Sequence, residues 1–236
     1  WTTSWIVLWG IGLIAWGLMF YAVIVYRRRK GETGLPPQLR YNNPIETMFT
    51  VVPLIITIGF FAFTARDMAA IEEPNANPDV TIQVIAKQWS WDFNYVDGNV
   101  YDSGIQSQFD GELGSEAALP TLYLPVNKSV KVDLSARDVI HSFWVIDFLY
   151  KKDMFPGRTN YMYFTPQVEG TYKGKCAELC GEFHSMMLFN VKVVSQEDYD
   201  ARMAELKKMG NIGKLSADPN DPDNINRNNN LPGNKP

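Results

Sequence analysis

From Trp5 to Tyr26 the chain runs 22 residues without a charged side chain, and from Met48 to Ala65 it runs another 18. No other feature limits the fold as strongly. At about 1.5 Å per residue these stretches make helices of about 33 Å and roughly 27 Å, against a hydrocarbon core of about 30 Å. Both are therefore predicted to span a membrane. The rest of the 236 residues is largely polar. That excludes a fully soluble single domain, and equally a polytopic transporter, which needs more spans.

The flanks agree with this reading. Trp1, Trp5 and Tyr26 stand near the ends of the first stretch, where aromatic rings prefer the interface. The stretch stops at Arg27-Arg28-Arg29-Lys30. A cleaved signal peptide is the competing reading, but 22 apolar residues exceed the usual roughly 7–15, and the basic cluster follows the stretch instead of preceding it. The second stretch is introduced by Asn43 as a cap, Pro44 in the first turn and Glu46 three residues after the cap. Pro53 lies inside it and leaves one carbonyl to be satisfied by neighbouring helices.

Residues 1–66 hold six Lys/Arg and two acids; residues 67–236 hold 16 Lys/Arg and 24 acids. Five of the first six basic residues fall between Arg27 and Glu46, so the loop 27–43 is expected in the cytoplasm, with both flanking segments outside. The expected anchor is a two-helix hairpin over 1–66 in the lipid bilayer of the cytoplasmic (inner) membrane, packed on a larger membrane partner. The overall net charge of −4 argues against nucleic acid. The acidic outer part favours a basic protein partner through long-range steering.

After a linker at 67–79 the periodicity changes to two. Val80, Ile82, Val84 and Ala86 alternate with polar or outward positions; so do Val130, Val132 and Leu134, and Met187, Phe189, Val191 and Val193. Turn signals separate these runs at Asp97-Gly98, Asn127-Lys128, Pro156-Gly157 and Glu169-Gly170. The pattern predicts one β-sandwich or barrel over 80–194. Residues 97–120, rich in Gly, Ser and acids, read as an inserted surface loop. Ser195 is expected to cap a short helix over 195–210, with Asp198 at the capping-box position and Gly210 as the stop. The tail 211–236, with eight Asn and four Pro, has no composition for a core. A partner surface is expected to order it.

The rarest residues carry the chemistry. The chain has two Cys and two His, and three of these four lie between Cys176 and His184. The segment reads Cys176-Ala177-Glu178-Leu179-Cys180-Gly181-Glu182-Phe183-His184-Ser185-Met186-Met187; the other histidine, His141, lies in a strand-like run, Val139–Ile146. Thiolate and thioether are soft ligands and imidazole is intermediate, a mixture that favours copper. A mononuclear blue-copper site needs one Cys, so one thiolate is left over. Two thiolates can instead bridge two copper ions, each completed by one His, which spreads one unpaired electron over both and keeps geometry changes small. A Cys176–Cys180 disulfide would leave His184, Met187 and His141 without a role. A zinc site of two Cys and two His would not need Met187.

With these residues in view, the sequence resembles subunit II of haem–copper cytochrome c oxidases. Cys-x-Glu-x-Cys-Gly-x-x-His-x-x-Met, with an upstream His-Ser at His141, is similar to that family's dinuclear copper (CuA) motif, and the likeness covers residues 1–194. It implies a membrane-anchored all-β protein: a two-helix transmembrane hairpin followed by a cupredoxin-like Greek-key barrel or sandwich. It implies that Cys176 and Cys180 bridge the coppers, that His141 and Met187 complete one ion, and that His184 and the Glu178 carbonyl complete the other. The Glu178 carboxylate would reach a magnesium ion at the boundary with subunit I.

Other roles follow from the same resemblance. The run Gln88-Trp89-Ser90-Trp91-Asp92-Phe93-Asn94-Tyr95 is similar to the family's aromatic strand, whose first tryptophan, here Trp89, takes electrons from cytochrome c. The family often has an acid where this chain has Asn94. Asp97, Asp138 and Asp153 fall where docking acids are expected, and Glu46 matches a glutamate at the mouth of a proton channel. The implied partners are oxidase subunits I and III, haem in subunit I, and cytochrome c. The 97–120 insertion and long tail resemble versions that join a cytochrome bc complex and take electrons from a tethered haem c domain. The function implied is the electron-accepting subunit of a proton-pumping terminal oxidase. The alternative is a membrane-tethered copper carrier, which needs an exposed, exchangeable site. Nitrous-oxide-reducing enzymes share the copper motif but need a large extra catalytic domain, and quinol oxidases lack the ligands.

Overall fold

A computed structural model describes residues 2–36, 38–107, 119–218 and 220–221. The chain divides into two compact units, 1–61 and 62–236.

In the first unit α1 (Thr2–Val25, 24 residues) and α2 (Asn43–Ile71, 29 residues) are long and apolar enough to cross a membrane. Neither buries any residue within the chain, so their apolar surfaces need an apolar environment from elsewhere. The cap of α2 sits one residue earlier than Asn43. Asn42 Oδ1 accepts from the Ile45 amide at 3.3 Å, and Glu46 Oε1 accepts from the Asn42 amide at 2.8 Å. The helix also outlasts its apolar stretch. Arg66 and Asp67 end the uncharged run, but Met68 to Ala70 are good helix formers and the helix continues to Ile71. The linker is correspondingly shorter. Glu72 then pairs with Lys152 and accepts from the Tyr150 hydroxyl at 3.4 Å.

Among the described residues, the second unit is a sandwich of two five-stranded sheets. The strands are β1 (Val80–Lys87), β2 (Ser90–Tyr95), β3 (Val100–Ser103), β4 (Thr121–Pro125) and β5 (Val130–Ala136). They continue as β6 (His141–Val145), β7 (Tyr150–Met154), β8 (Asn160–Phe164), β9 (Gly170–Cys176) and β10 (Leu188–Val194). One sheet has the order β3-β2-β1-β5-β8, the other β4-β10-β9-β6-β7. β1 runs parallel to β5 and β4 parallel to β10; the remaining pairs are antiparallel. The alternation read from the sequence sets which side faces in: Val80, Ile82 and Val84 are buried, as are Phe189, Val191 and Val193. Trp91, Phe143 and Phe189 form an aromatic centre with ring centroids 4.8–5.8 Å apart. Gly174 is required here, because a Cβ on it would lie 2.1 Å from the Phe189 ring.

The segment 97–120 is less of a loop than its composition suggests. Val100–Ser103 is edge strand β3, which pairs with β2. Its single buried residue, Val100, gives no alternation to read. Residues 108–118 lie outside the described residues. α3 (Gln196–Lys208) begins at Ser195, whose Oγ accepts from the Asp198 amide, and buries Tyr199, Met203 and Leu206. The first part of the tail rests on the domain itself: Ile212 bridges to Val100 and Leu215 is buried. Residues 222–236 lie outside the described residues.

Candidate metal centre

Sheet register gathers the site. β6 and β9 are antiparallel with Phe143 opposite Cys176, so the start of β6 and the end of β9 share one end of the sandwich. That places His141 beside Cys176. The loop 177–187 closes over the same end before β10 begins, pinned by the Cys176 amide on the Met187 carbonyl at 3.0 Å and the Ala177 amide on the Ser142 carbonyl at 3.1 Å. Trp91 Nε1 also donates to the Met187 carbonyl, at 3.4 Å.

The soft and imidazole donors converge. The sulfurs of Cys176 and Cys180 lie 3.8 Å apart. This is far beyond the roughly 2.05 Å of a disulfide bond, and both thiols are free. His141 Nδ1 lies 3.8 Å from the Cys176 sulfur, and His184 Nδ1 lies 3.5 Å from the Cys180 sulfur. Met187 Sδ is 3.8 Å from Cys180, and the Glu178 carbonyl oxygen is 3.2 Å from Cys176. The ligand atoms of His141, Cys176 and Cys180 all fall within 4.8 Å of one another, and all three residues are buried. The donor set fits a soft or borderline transition metal, copper above all.

The surroundings orient these donors. His141 Nε2 lies 2.8 Å from Asp138 Oδ1, which leaves Nδ1 aimed at the thiol. Asp138 also accepts from the Gln88 amide at 2.6 Å and the Val139 amide at 2.7 Å. Burial works against the Asp138 carboxylate, but these three hydrogen bonds outweigh it and hold the pKa below the usual carboxylate value. Burial likewise works against a charged His141; Asp138 and Cys176 prevail and raise its pKa. The two thiols act as a pair, with Cys176 the one held low by the hydrogen bond from Cys180.

Trp89 belongs to this end of the domain. β1 is parallel to β5, so the β1–β2 turn lies beside the segment leading to His141. Trp89 Nε1 donates to the Cys180 carbonyl at 3.3 Å and Gln88 Nε2 to the same oxygen at 2.8 Å. The indole is half-buried and packs edge-on to Phe183 at 5.0 Å. Gly181, at φ +126°, permits this approach: a Cβ there would meet the indole at 3.1 Å.

Not every residue singled out from the sequence comes here. Asp153, half-buried in β7, is paired opposite Ser142, one residue from His141. Asp97 is at the other end of β1, where it accepts from the Thr81 amide at 2.7 Å. The Glu178 side chain is exposed. Glu46 belongs to the α2 cap in the first unit. The sequence alone assigns no role to Gln88, and places Asp138 only among the docking acids. The three-residue spacing from Asp138 to His141 was the available signal. Asp138→Asn is expected to lower copper affinity by roughly 10–100-fold, measured by competition with a copper chelator, because the imidazole loses the carboxylate that orients it.

Fold and site together define a cupredoxin-like sandwich whose ligand set fits copper, attached to two apolar helices. The cytochrome C oxidase subunit II periplasmic domain family matches residues 80–194. A probable cytochrome c oxidase subunit 2 from Streptomyces avermitilis is 43% identical over 92% of this chain and 77% of its own length. Cytochrome c oxidase subunit 2 from Corynebacterium glutamicum is 31% identical over 84% of this chain and 69% of its own length. Among solved structures, the periplasmic domain of subunit II of cytochrome oxidase from Bradyrhizobium japonicum matches with a TM-score of 0.50 and 32% identity, over 56% of this chain and 96% of that one. The chain belongs to the cytochrome c oxidase subunit II family.

Proposed function

We propose that this chain accepts electrons from cytochrome c at a dinuclear copper centre and passes them to haem in subunit I of a terminal oxidase, where oxygen is reduced to water and protons are pumped. The observation that carries this reading is the pair of free sulfurs 3.8 Å apart, each facing one histidine Nδ1. In it Cys176, Cys180, His141, His184, Met187 and the Glu178 carbonyl would hold the copper. Bound copper supplies a one-electron redox couple at this position. The chain's residues fix the donors, exclude water from the sulfurs and offer a route in. Trp89, half-buried and hydrogen-bonded to the Cys180 carbonyl, is the proposed point of electron intake. Asp138 and Asp153 lie on the same end for a basic donor.

The remaining assignments belong to the same proposal. The Glu178 carboxylate, on an exposed residue, would help hold a magnesium ion shared with subunit I. Glu46 lies at the mouth of a proton channel in subunit I. α1 and α2 cross the inner membrane and pack on subunits I and III, which would cover the apolar surfaces the chain leaves open. A copper carrier would expose its ligands for exchange, whereas Cys176 and Cys180 are each 4% exposed.

Copper stoichiometry with EPR on the purified chain tests the centre. Two coppers sharing one delocalised electron are expected; one copper with a localised signal would overturn the assignment. Met187→Ala should keep copper bound, shift its potential and slow turnover. Unchanged electron-transfer kinetics in that variant would remove Met187 from the ligand set.

A further inference from the structure

We propose that residues 211–216 form a strap that positions Trp89, latched by Asn94 and Arg137; its consequence for catalysis rests on Trp89 being the point of electron intake. The strap leaves α3 along the free edge of β3. Asn211 accepts from the Tyr101 amide at 3.2 Å, Ile212 bridges antiparallel to Val100, and the Gly213 amide donates to the Asn99 carbonyl at 2.9 Å. It adds a short strand to an edge that would otherwise be open.

Two latches then hold it. Asn94, fully buried in the middle of β2, uses both ends of its amide on Leu215: Oδ1 accepts from the Leu215 amide at 2.9 Å and Nδ2 donates to the Leu215 carbonyl at 2.8 Å. An ionised carboxylate in its place could accept from the Leu215 amide but could not donate to its carbonyl. This accounts for an asparagine at a position where the family often carries an acid. One residue on, Arg137 Nη2 donates to the Ser216 carbonyl at 2.9 Å and to Asp92 Oδ2 at 3.0 Å.

From Arg137 the connections lead directly to the turn that carries Trp89. The Arg137 amide donates to the Ala86 carbonyl at 2.9 Å, Asp92 Oδ1 accepts from Lys87 Nζ at 2.7 Å, and Asp138 accepts from the Gln88 amide. Residues 86, 87 and 88, which lead into Trp89, are thus each tied to Arg137, to its partner Asp92 or to its neighbour Asp138. The strap closes the outer side of this frame, and the Cys180 carbonyl, accepting from Gln88 and Trp89, closes the inner side.

The test uses the full chain in the assembled oxidase, labelled with 5-fluorotryptophan, in two variants: Asn94→Asp, and truncation after Gly210. Asn94→Asp leaves an acceptor facing the Leu215 carbonyl; the truncation removes the strap and keeps the test open if Asn94→Asp does not fold. The ¹⁹F resonance of Trp89, identified by its loss in Trp89→Phe, is expected to shift or broaden in both variants. The kcat for cytochrome c oxidation should fall severalfold, with KM and the copper EPR signal retained, because the displaced indole weakens the electron path without touching the copper ligands. An unmoved Trp89 resonance in the truncated chain would overturn the proposal and leave the strap as an edge cover. If the resonance moves but Trp89→Phe itself oxidises cytochrome c at the full rate, the positioning stands and electron intake through Trp89 is what falls.

Discussion

Cys180→Ser is expected to abolish the two-copper EPR signal and to lower oxidation of cytochrome c by the assembled oxidase by more than the roughly 10–100-fold that follows loss of an outer partner. Cys180 is one of the two sulfurs on which the donor set is built. Its sulfur lies 3.8 Å from Cys176, 3.5 Å from His184 Nδ1 and 3.8 Å from Met187 Sδ. Cys176 matches it from the other side, with Cys180, His141 Nδ1 and the Glu178 carbonyl in reach. A serine hydroxyl is a hard, protonated donor at neutral pH and does not replace a bridging thiolate. The remaining Cys176 and His141 could hold one metal ion at most in the proposed geometry. Copper content per chain separates the outcomes: retention of two coppers with a delocalised signal would show that Cys180 does not bridge.

Asp92→Ala is expected to cost the outer domain about 3–5 kcal/mol, because it strips the counter-charge from buried cations. Asp92 is fully buried, and the Lys87 and Arg137 side chains are only 5% and 7% exposed. One carboxylate serves both, at 2.7 Å and 3.0 Å, and also accepts from Ser103 Oγ at 2.8 Å. Burial already depresses the Lys87 pKa, and Asp92 is the main group opposing that. Without Asp92, Lys87 can shed its proton and limit the damage, whereas Arg137 cannot. Domains of this kind are stable by only about 5–15 kcal/mol in total. The variant should therefore melt roughly 10 °C or more below the parent by calorimetry. A melting temperature within about 2 °C of the parent would mean that water reaches the cluster and screens it.

The two charged clusters also show where sequence reading stops. Nothing in the local sequence around Lys87, Asp92 or Arg137 marks them as partners. β1 and β2 bring the first two together through their hairpin, and the parallel pairing of β1 with β5 brings the third. A parallel neighbour 50 residues away leaves no local pattern. The same pairing turns Asp138 from a surface acid into a support for His141 and for the Trp89 turn. Asn94 was visible only as a departure from the family pattern; its partner lies 121 residues further on.

What the amino-acid sequence determined alone is what local chemistry can carry. Uncharged runs of 22 and 18 residues define two apolar helices, and period-two alternation defines a β-sandwich with its inward faces. Two Cys, one His and a Met within one loop, with the chain's other His upstream at His141, define a soft-metal centre. Tertiary structure decided the rest. It set which imidazole nitrogen faces which sulfur, which acid steadies the histidine, and which carbonyl Trp89 rests on. It also made the start of an Asn- and Pro-rich tail part of the domain. These are contacts between residues distant in the chain, and only packing of the two sheets brings them within hydrogen-bonding range.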